Sequence, residues 1–332
     1  MKSILVTGGA GYIGSHTAKA LARAGYRPVA LDNLSTGHRW AVKWGPLVEG
    51  DVGDRRLVRC ALEHYEIEAV IHFAANAALA ESMRDPFKYL HDNVANSLEL
   101  LEAMREAKVR KIVFSSTCAT YGIPKRMPIR ETTPQDPVNP YGESKLFVER
   151  ALSWYKRAHG FSWCALRYFN AAGADGGGEI GEDHDPETHI IPLTIQAALG
   201  QIPELAVMGT DYATSDGTAI RDYVHVEDLA DAHVKALKHL FCAGESGAFN
   251  LGAGRGYSVR EVVAAVKRVS GMPVPTRDGP RRPGDPPVLV ARTARARNVL
   301  GWTPRYGSLD AIVRTAWEWH AARSGCSVAA AV

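Results

Sequence analysis

Short apolar runs alternate with amphipathic segments along the first half of the chain. The apolar runs are typical of buried strands and cover residues 4–7, 28–31, 47–49, 69–73, 111–115 and 163–167. The segments between them favour helices, at residues 14–25, 55–65, 92–107 and 141–159. This alternation predicts an α/β fold with a doubly wound parallel sheet of the Rossmann type. Ligand-binding residues are then expected just beyond the carboxyl ends of the strands.

The amino-acid composition of the chain changes after Asn170. Residues 174–181 are rich in glycine, and two later stretches, 272–275 and 279–287, are rich in proline. We therefore expect a cofactor-binding domain at residues 1–172 and a smaller α/β, substrate-binding domain at residues 173–330. Strand-like runs at both ends of the segment 223–250 suggest that this segment returns to the first domain.

Composition and charge exclude several classes of protein. The 332 residues carry 39 Lys and Arg against 36 Asp and Glu, and a net charge of +3 is too small to indicate a nucleic-acid partner. No apolar run approaches the ~18 residues of a membrane span, and no signal peptide precedes the first strand, so we expect a cytoplasmic protein without a membrane partner. The five cysteines are scattered, so neither disulfides nor a metal site are expected.

A glycine-rich turn between the first strand and the first helix predicts a phosphate-binding site. The sequence TGGAGYIG at residues 7–14 matches the dinucleotide-binding pattern in the required strand–turn–helix context. Glycine permits positive φ and a close approach of the backbone to a pyrophosphate, and the helix N-terminus offers free N–H groups.

An acidic residue at the end of the second strand favours NAD over NADP as the cofactor. Asp32 lies 18 residues beyond Gly14, close to the ~20 expected for a ribose ligand, and its carboxylate would repel a 2′-phosphate. His38 and Arg39 could instead attract such a phosphate. Asp51, after the third strand, could meet the adenine edge or simply cap a loop.

Tyr141 and Lys145 form a Y-x-x-x-K pair that predicts a catalytic base. At i, i+4 the two side chains share one helix face. An ammonium group within ~4–6 Å lowers the pKa of a tyrosine by ~1–3 units, and a nicotinamide cation could lower it further. We therefore expect Lys145 to depress the pKa of Tyr141 towards neutrality, so that its phenolate can accept a proton beside NAD⁺.

The same spacing at Tyr121 and Lys125 is set aside, because Gly122 and Pro124 argue against a regular helix there. The hydroxyl run at residues 115–117 lies directly beyond the fifth strand. A hydroxyl at this edge can bond the oxygen of a substrate alcohol.

Together these motifs resemble the extended short-chain dehydrogenase/reductase family, and closely its UDP-glucose 4-epimerase branch. The resemblance covers nearly the whole chain, in order. The segments that carry it are TGGAGYIGSH (7–16), LDNL (31–34), HFAA (72–75), SSTCATYG (115–122), NPYGESK (139–145), LRYFN (166–170), DGTAIRDYVHV (216–226), NLGAG (250–254) and RRPGD (281–285).

The resemblance implies a homodimeric enzyme of galactose metabolism that interconverts UDP-glucose and UDP-galactose. C4 of the sugar would be oxidised with NAD to a 4-keto intermediate, which rotates and is reduced on its other face. Tyr141 would be the base, Lys145 would bond the nicotinamide ribose, and Thr117 would hold the 4-oxygen.

The resemblance also implies a full set of ligand-binding residues. Those expected to bind NAD are Gly8, Gly11, Tyr12, Ile13, Gly14, Asp32, Asn33, Asp51, Val52, Phe73, Ala74, Ala75, Asn93, Ser115, Tyr141, Lys145 and Tyr168. Those expected to bind the UDP-sugar are Thr117, Tyr141, Asn170, His189, Ile190, Met208, Arg221, Arg282, Asp285 and Leu289.

Some positions depart from the family pattern or leave alternatives open. Leu289 is smaller than the tyrosine of some members, so N-acetylated UDP-hexosamines could be accommodated, and His189 stands where some members have asparagine. Cys118 and Ala119 replace the acidic residues that a dehydratase would need. The remaining alternatives are a UDP-arabinose/UDP-xylose 4-epimerase and a non-catalytic NAD-binding sensor.

Overall fold

The computed structural model describes residues 1–282 and 284–324. Along this part of the chain the strands are β1 Ser3–Thr7, β2 Arg27–Asp32, β3 Leu47–Glu49, β4 Ile67–His72, β5 Lys111–Thr117, β6 Ser162–Tyr168, β7 Asn170–Ala172, β8 Leu205–Met208, β9 Ile220–His225, β10 Gly247–Leu251, β11 Gly256–Ser258, β12 Thr276–Gly279 and β13 Val288–Leu289. The helices are α1 Tyr12–Arg23, α2 Arg55–His64, α3 Leu79–Arg84, α4 Pro86–Leu90, α5 Asn96–Glu106, α6 Pro140–His159, α7 Ile190–Ala198, α8 Val226–Phe241, α9 Val259–Ser270, α10 Ala294–Leu300 and α11 Leu309–Arg323.

A seven-stranded parallel sheet, ordered β3-β2-β1-β4-β5-β6-β10, forms the centre of the molecule. The order reverses between β1 and β4, which creates a crevice at the carboxyl ends of these two strands. This is the doubly wound parallel sheet that the alternation of apolar runs predicted. The predicted ligand-binding residues beyond β1, β2, β4 and β5 therefore share one edge of the sheet.

Both faces of the sheet are covered, because successive side chains of a strand point to opposite sides. In β1, Leu5 packs on one face against the apolar side of α2, α5 and α6. Ile4 and Val6 pack on the other face against α1, α8 and α10. Strands buried on both faces are continuously apolar, which is why these runs were recognisable in the sequence.

The second half of the chain builds smaller sheets and then returns to the large one. Strands β7, β9, β11 and β13 form a four-stranded sheet, β8 pairs with β12, and a separate core joins α7, α9 and α11. The strand β9 thus lies in the smaller sheet, whereas α8 packs against α1 and β10 extends the large sheet beside β6. The predicted domain limits stay a prediction, and their residues 325–330 lie outside the described part of the chain.

Two helices differ from their predicted bounds. Helix α1 begins at Tyr12 rather than at Gly14, directly after the glycine turn. The predicted helix at 92–107 is a π-helical turn, His91–Ala95, that continues into α5. Such wide turns occur mostly at functional sites. Within the described residues, no helix combines the length and apolarity that crossing a bilayer requires.

Candidate active site

The turn between β1 and α1 fits only glycine at the positions that shape it. Gly8 has φ +69°, and a Cβ there would lie 2.7 Å from the backbone nitrogen of Ala74. A Cβ on Gly14 would lie 2.0 Å from the carbonyl oxygen of Gly8. The N-cap residue Gly11 provides no side chain for the first N–H groups of α1. These groups and the positive end of the helix dipole remain for a pyrophosphate, with Tyr12 and Ile13 in the first turn.

Asp32 is buried beside this turn, at the end of β2. Its carboxylate accepts hydrogen bonds from the backbone N–H groups of Ala10 and Leu34, each at 2.9 Å. Burial raises the pKa of Asp32, and the two backbone hydrogen bonds oppose that rise. The carboxylate is thus fixed beside the glycine turn, and its contact with an adenosine ribose stays a prediction.

The two groups that could have attracted a 2′-phosphate are engaged elsewhere. Arg39 pairs with Glu49, and the His38 ring bonds the carbonyl oxygen of Asp183 at 2.6 Å. On the same edge of the sheet, Asp51 accepts from the Asn33 amide at 2.9 Å. Because the Arg39 and His38 side chains both already have partners within the protein, this arrangement favours NAD over NADP.

The end of β4 is held in place by a chain of buried polar groups. The backbone N–H groups of Phe73 and Ala74 donate to the Thr7 carbonyl oxygen at 2.9 and 3.2 Å. The side-chain amide of Asn93 donates to the Asn76 carbonyl oxygen at 3.0 Å and to the Ser144 hydroxyl at 3.0 Å. Asn93, which lies in the π-helical turn, therefore connects the loop after β4 to the first turns of α6.

Tyr141 and Thr117 meet at the carboxyl edge of the sheet. Thr117 is the last residue of β5, and Tyr141 lies in the first turn of α6, which Asn139 caps through a 2.8 Å hydrogen bond from Gly142 N–H. Burial raises the pKa of Tyr141 to about 12, and a hydrogen bond with the Thr117 side chain acts in the opposite direction. The structure thus brings together a phenol and an alcohol that were predicted to share the substrate 4-oxygen.

Lys145 lies one turn further along α6 and is also buried. Burial lowers the pKa of its ammonium group to about 7, and the Nζ atom lies 5.0 Å from the centre of the Phe114 ring. The expectation that Lys145 depresses the pKa of Tyr141 was wrong for the protein itself. The reason is desolvation, which penalises the phenolate and the ammonium alike.

The remaining cofactor residues line the same crevice. Ser115, on β5, is hydrogen-bonded to the hydroxyl of Tyr168 at the end of β6. Burial raises the pKa of Tyr168 well above its ordinary value. Val52 and Ala75 follow β3 and β4 at the same edge of the sheet.

A buried ion pair lies next to the site and was not predicted from the sequence. The guanidinium of Arg167 donates to Glu149 through Nε at 2.9 Å and through Nη2 at 2.5 Å. Arg167 also donates to the Tyr121 hydroxyl at 2.8 Å, and Ser116 bonds Glu149. Tyr121 is therefore structural, in agreement with its exclusion above. In the sequence, the available signal was a charged residue within each of two mostly apolar segments, one in β6 and one in α6.

Apart from Thr117 and Tyr141, the predicted substrate residues lie on four strands, at the start of α7 and in the loop before β13. Asn170 begins β7, Met208 ends β8, Arg221 lies on β9, and His189 and Ile190 lie at the start of α7. Arg221 is mostly buried and pairs with Asp285.

Leu289 belongs to a small apolar cluster with Cys118, Tyr121 and Phe169, which places it directly beside Thr117's strand. Arg282 is exposed, and its neighbour Arg281 pairs with Asp211 at 2.7 Å.

A cluster of four potential metal ligands near α7 was not predicted. Glu182, His184, Glu187 and His189 place one ligand atom each within 4.8 Å of one another. The sequence expectation of no metal rested on the cysteines. The spacing E-x-H-x-x-E-x-H was the signal that could have revealed this cluster.

Comparisons with known proteins agree with this geometry. Residues 4–252 match the NAD dependent epimerase/dehydratase family. The UDP-glucose 4-epimerase of Lacticaseibacillus casei is 51% identical over 319 residues, which cover 96% of each chain.

Two solved structures have nearly the same fold. The UDP-glucose 4-epimerase of Brucella ovis, in complex with NAD, gives a TM-score of 0.94 at 53% identity, over 96% of this chain and 98% of that one. The UDP-glucose 4-epimerase of Bifidobacterium longum, in complex with NAD⁺ and UDP, gives a TM-score of 0.93 at 36% identity, over 98% of this chain and all of that one (100%).

The fold and the comparisons thus define a dinucleotide-binding enzyme built on a doubly wound parallel sheet. The chain belongs to the NAD dependent epimerase/dehydratase family. The expected family, the expected NAD cofactor and the expected epimerase-type activity are confirmed. The pentose epimerase and the sensor protein are not favoured by these similarities.

Proposed function

We propose that this enzyme interconverts UDP-glucose and UDP-galactose by oxidation and reduction at C4 of the sugar. The observation that carries the proposal is that the Tyr141 phenol and the Thr117 side chain lie close together at the carboxyl edge of the sheet, the same edge that bears the glycine turn. Both groups can bond one alcohol oxygen while the cofactor turn holds a dinucleotide in the same crevice. The names of the similar epimerases supply the UDP-hexose as the substrate class.

Tyr141 and Thr117 both interact with the 4-hydroxyl group of the sugar. The phenolate accepts this proton, and Thr117 orients the oxygen from its place at the end of β5. A bound NAD⁺ would supply the hydride acceptor for C4 and, once reduced, the hydride donor for the opposite face, and its positive charge would lie close to the phenol. Since burial raises the pKa of Tyr141 to about 12, a nearby cation is what the phenolate requires. Lys145 is placed one helix turn away, where its amine can bond the nicotinamide ribose.

The nucleotide end of the substrate would be held by the second half of the chain. Arg221 supplies a positive charge at a mostly buried position, which strengthens its interaction with a diphosphate. Asp285 holds this guanidinium and is available to the uridine ribose. Asn170 and Arg282 would complete the diphosphate contacts, as the family resemblance implies, and His189 and Ile190, at the start of α7, are further residues expected to bind the substrate. Holding the nucleotide firmly leaves the sugar free to turn over between the two hydride transfers.

The experiment is the Tyr141→Phe variant, assayed for the conversion of UDP-galactose to UDP-glucose. We expect kcat to fall by ~10²–10⁴, the usual contribution of a general base, with bound NAD and the circular dichroism spectrum unchanged. Tyr155→Phe is the matched control, because Tyr155 lies on the same helix and its hydroxyl donates to Glu102 at 2.8 Å, away from the crevice. Full activity of Tyr141→Phe would refute the assignment of the base.

We further propose that the enzyme is a homodimer, formed through helix α6. Phe147 and Trp154 are exposed to 46% and 65% although both are large and apolar. Their spacing of two helix turns puts them on one face of α6. Size-exclusion chromatography with light scattering should show a dimer, and Trp154→Glu should shift it towards the monomer. A wild-type monomer would contradict the proposal.

A cytoplasmic location stays a prediction of the sequence.

A further inference from the structure

We propose that Glu182, His184, Glu187 and His189 bind a divalent transition-metal ion of the zinc type, at a site that takes no part in the proton and hydride transfers and shares only His189 with the residues expected to bind the substrate. The His184 Nδ1 atom lies 3.3 Å from Glu182 Oε1 and 3.8 Å from Glu187 Oε1. The His189 Nδ1 atom lies 3.9 Å from Glu187 Oε1 and also contacts Glu182 Oε1. Ligand atoms that surround a tetrahedral ion at ~2.0–2.1 Å stand ~3.4 Å apart. The four atoms therefore reach this geometry through small side-chain rotations.

The donor types select the class of ion. Two imidazole nitrogens suit zinc, cobalt and nickel, whereas calcium and magnesium prefer sites made of oxygen alone. The absence of sulfur from the set disfavours monovalent copper. The two carboxylates bring two negative charges, which a divalent ion balances without a further residue.

Burial of the carboxylates argues that their charges need a partner in the site. The side chains of Glu182 and Glu187 are 3% and 4% exposed, whereas those of His184 and His189 are 33% and 52% exposed. In the chain without an ion the two histidines pair with these carboxylates, and a divalent ion would replace those pairs and balance both charges. The histidines form the open side of the cluster, through which an ion can enter.

The local backbone already holds the carboxylates in place. Glu187 Oε1 accepts from the N–H groups of Thr188 and His189 at 2.6 and 2.8 Å. The Glu182 carbonyl oxygen accepts from the Trp319 indole at 3.3 Å. Gly181 packs against the same indole so closely that a Cβ would lie 2.4 Å from the ring. These contacts anchor both ends of the ligand segment before an ion binds.

The position of the cluster indicates a structural role that connects two parts of the active site. The ring of His184 lies 6.2 Å from the ring of Tyr12, in the first turn after the cofactor-binding glycines. His189 is the N-cap residue of α7, whose first residue, Ile190, belongs to the expected substrate site. An ion bound at residues 182–189 would fix the cofactor turn and the start of α7 relative to each other.

Cobalt binding to the NAD-loaded, untagged enzyme tests the proposal. After dialysis against a chelator and then buffer, Co²⁺ is titrated while its visible d–d absorption is recorded, and Zn²⁺ is then added as a competitor. We expect saturation at about one Co²⁺ per chain, an intense tetrahedral-type spectrum and displacement by Zn²⁺. Zn²⁺ should also raise the midpoint of thermal unfolding, because an ion that binds only the folded chain stabilises it.

Substitutions decide where the ion binds. His184→Gln and Glu187→Gln each remove one ligand and should weaken Co²⁺ binding by about 100-fold or more. A weakening of this size is the upper end of what is expected when a residue that only hydrogen-bonds to a ligand is lost. His91→Gln is the control, because His91 forms an exposed pair with Asp92 at 2.9 Å, with one carboxylate and no second histidine at hand. Its binding should match the wild type. Absence of saturable binding, or binding that survives both ligand substitutions, would show that the cluster is only a set of ion pairs. Because the readout is metal binding, this outcome is independent of the epimerase assay.

Discussion

At the scale of single residues, the active site is governed by desolvation. Burial raises the pKa of Tyr141 to about 12 and lowers that of Lys145 to about 7, so both neutral forms are favoured at the same place. A phenol with such a pKa is almost wholly protonated at neutral pH. The i, i+4 spacing indicated that these side chains share a helix face, but it carried no information about how far that face is excluded from water. Burial depends on the packing of α6 against the rest of the chain, which the local sequence does not record.

Leu289 should determine how large a sugar substituent the pocket accepts. The side chain is buried in a cluster with Cys118 and Phe169, so a larger residue must extend towards the substrate. We expect Leu289→Tyr to reduce kcat/KM for UDP-N-acetylglucosamine by at least tenfold relative to kcat/KM for UDP-glucose, a difference of about 1.4 kcal/mol. Leu289→Met, which nearly conserves volume, should leave the ratio unchanged. An unchanged ratio in Leu289→Tyr would remove Leu289 from the pocket wall.

The buried pair of Arg167 and Glu149 should stabilise the protein mainly by avoiding an isolated charge. Arg167→Met leaves the Glu149 carboxylate buried without its cation, and we expect a loss of about 3–5 kcal/mol in the free energy of unfolding. The double variant Arg167→Met, Glu149→Met should lose less than the single variant, because no charge is then left behind. Urea unfolding of both proteins measures the difference. A double variant less stable than Arg167→Met would contradict this account.

At the scale of elements, the cofactor half of the site is a local structure. Helix α1 can follow β1 only because the backbone of the turn approaches itself closely at Gly8 and Gly14. Every group involved lies within a short stretch of chain, so the sequence pattern was sufficient to predict both the turn and its ligand.

Gly14→Ala should therefore disrupt the turn. The new Cβ would lie 2.0 Å from the Gly8 carbonyl oxygen, a backbone atom that cannot move without displacing the turn. We expect loss of most of the bound NAD and a decrease in stability of at least ~3 kcal/mol, typical of severe overpacking. Gly307→Ala is the matched control, because a Cβ there meets no heavy atom within 4 Å. Fluorescence of released NADH and thermal unfolding provide the two measurements, and an NAD-replete Gly14→Ala protein would overturn the prediction.

Other elements were less accessible to sequence reasoning. Buried strands such as β3 and β5 were found within two residues of their ends, since apolar runs mark them directly. The short helices α3 and α4 and the π-helical turn were not predicted. The turn around Asn93 depends on hydrogen bonds to Asn76 and Ser144, and Ser144 lies on a distant segment of the chain. Contacts of this kind leave no periodic pattern.

At the scale of the whole molecule, the chain leaves the large sheet after β6 and returns to it with α8 and β10. The pairing of β10 with β6 joins residues that are about eighty positions apart, such as Phe249 and Leu166. The sequence indicated this return only through an apolar run at the right place. The cluster of Glu182, His184, Glu187 and His189 lies in the intervening segment; its spacing is a local signal, and the fold shows that the four side chains converge.

Four buried histidines should make the protein sensitive to acid. Burial is the main cause that lowers the pKa of each, to about 4 or about 3, below the ordinary value of 6.5; they are His16, His72, His225 and His233. Between about pH 6.5 and pH 4 the unfolded chain therefore binds protons at these positions and the folded chain does not. Stability must fall as the pH is lowered through this window.

The buried carboxyls of Asp222 and Asp32 act in the opposite direction, since burial raises the pKa of both. Burial raises the pKa of Asp222 to about 6, so the folded chain binds its proton before the unfolded chain does and gains stability on acidification. His184, whose pKa is raised to about 10 because Glu182 and Glu187 outweigh its burial, is protonated in both states below pH 6 and adds nothing there. The four histidines outnumber the two carboxyls, so unfolding takes up protons on balance, and each net proton corresponds to a loss of about 1.4 kcal/mol per pH unit.

Urea unfolding at pH 7.0 and pH 5.5 should show this loss as a lower midpoint at the acidic pH. His233→Met removes one of the four titrating groups, so its midpoint should change less between the two pH values. His64→Gln serves as the control, because His64 is exposed on α2 and its variant should retain the pH dependence of the wild type. A midpoint that is equal or higher at pH 5.5 would mean that the folded chain admits protons to its buried imidazoles, and the assignment of neutral histidines to both faces of the central sheet would then fail.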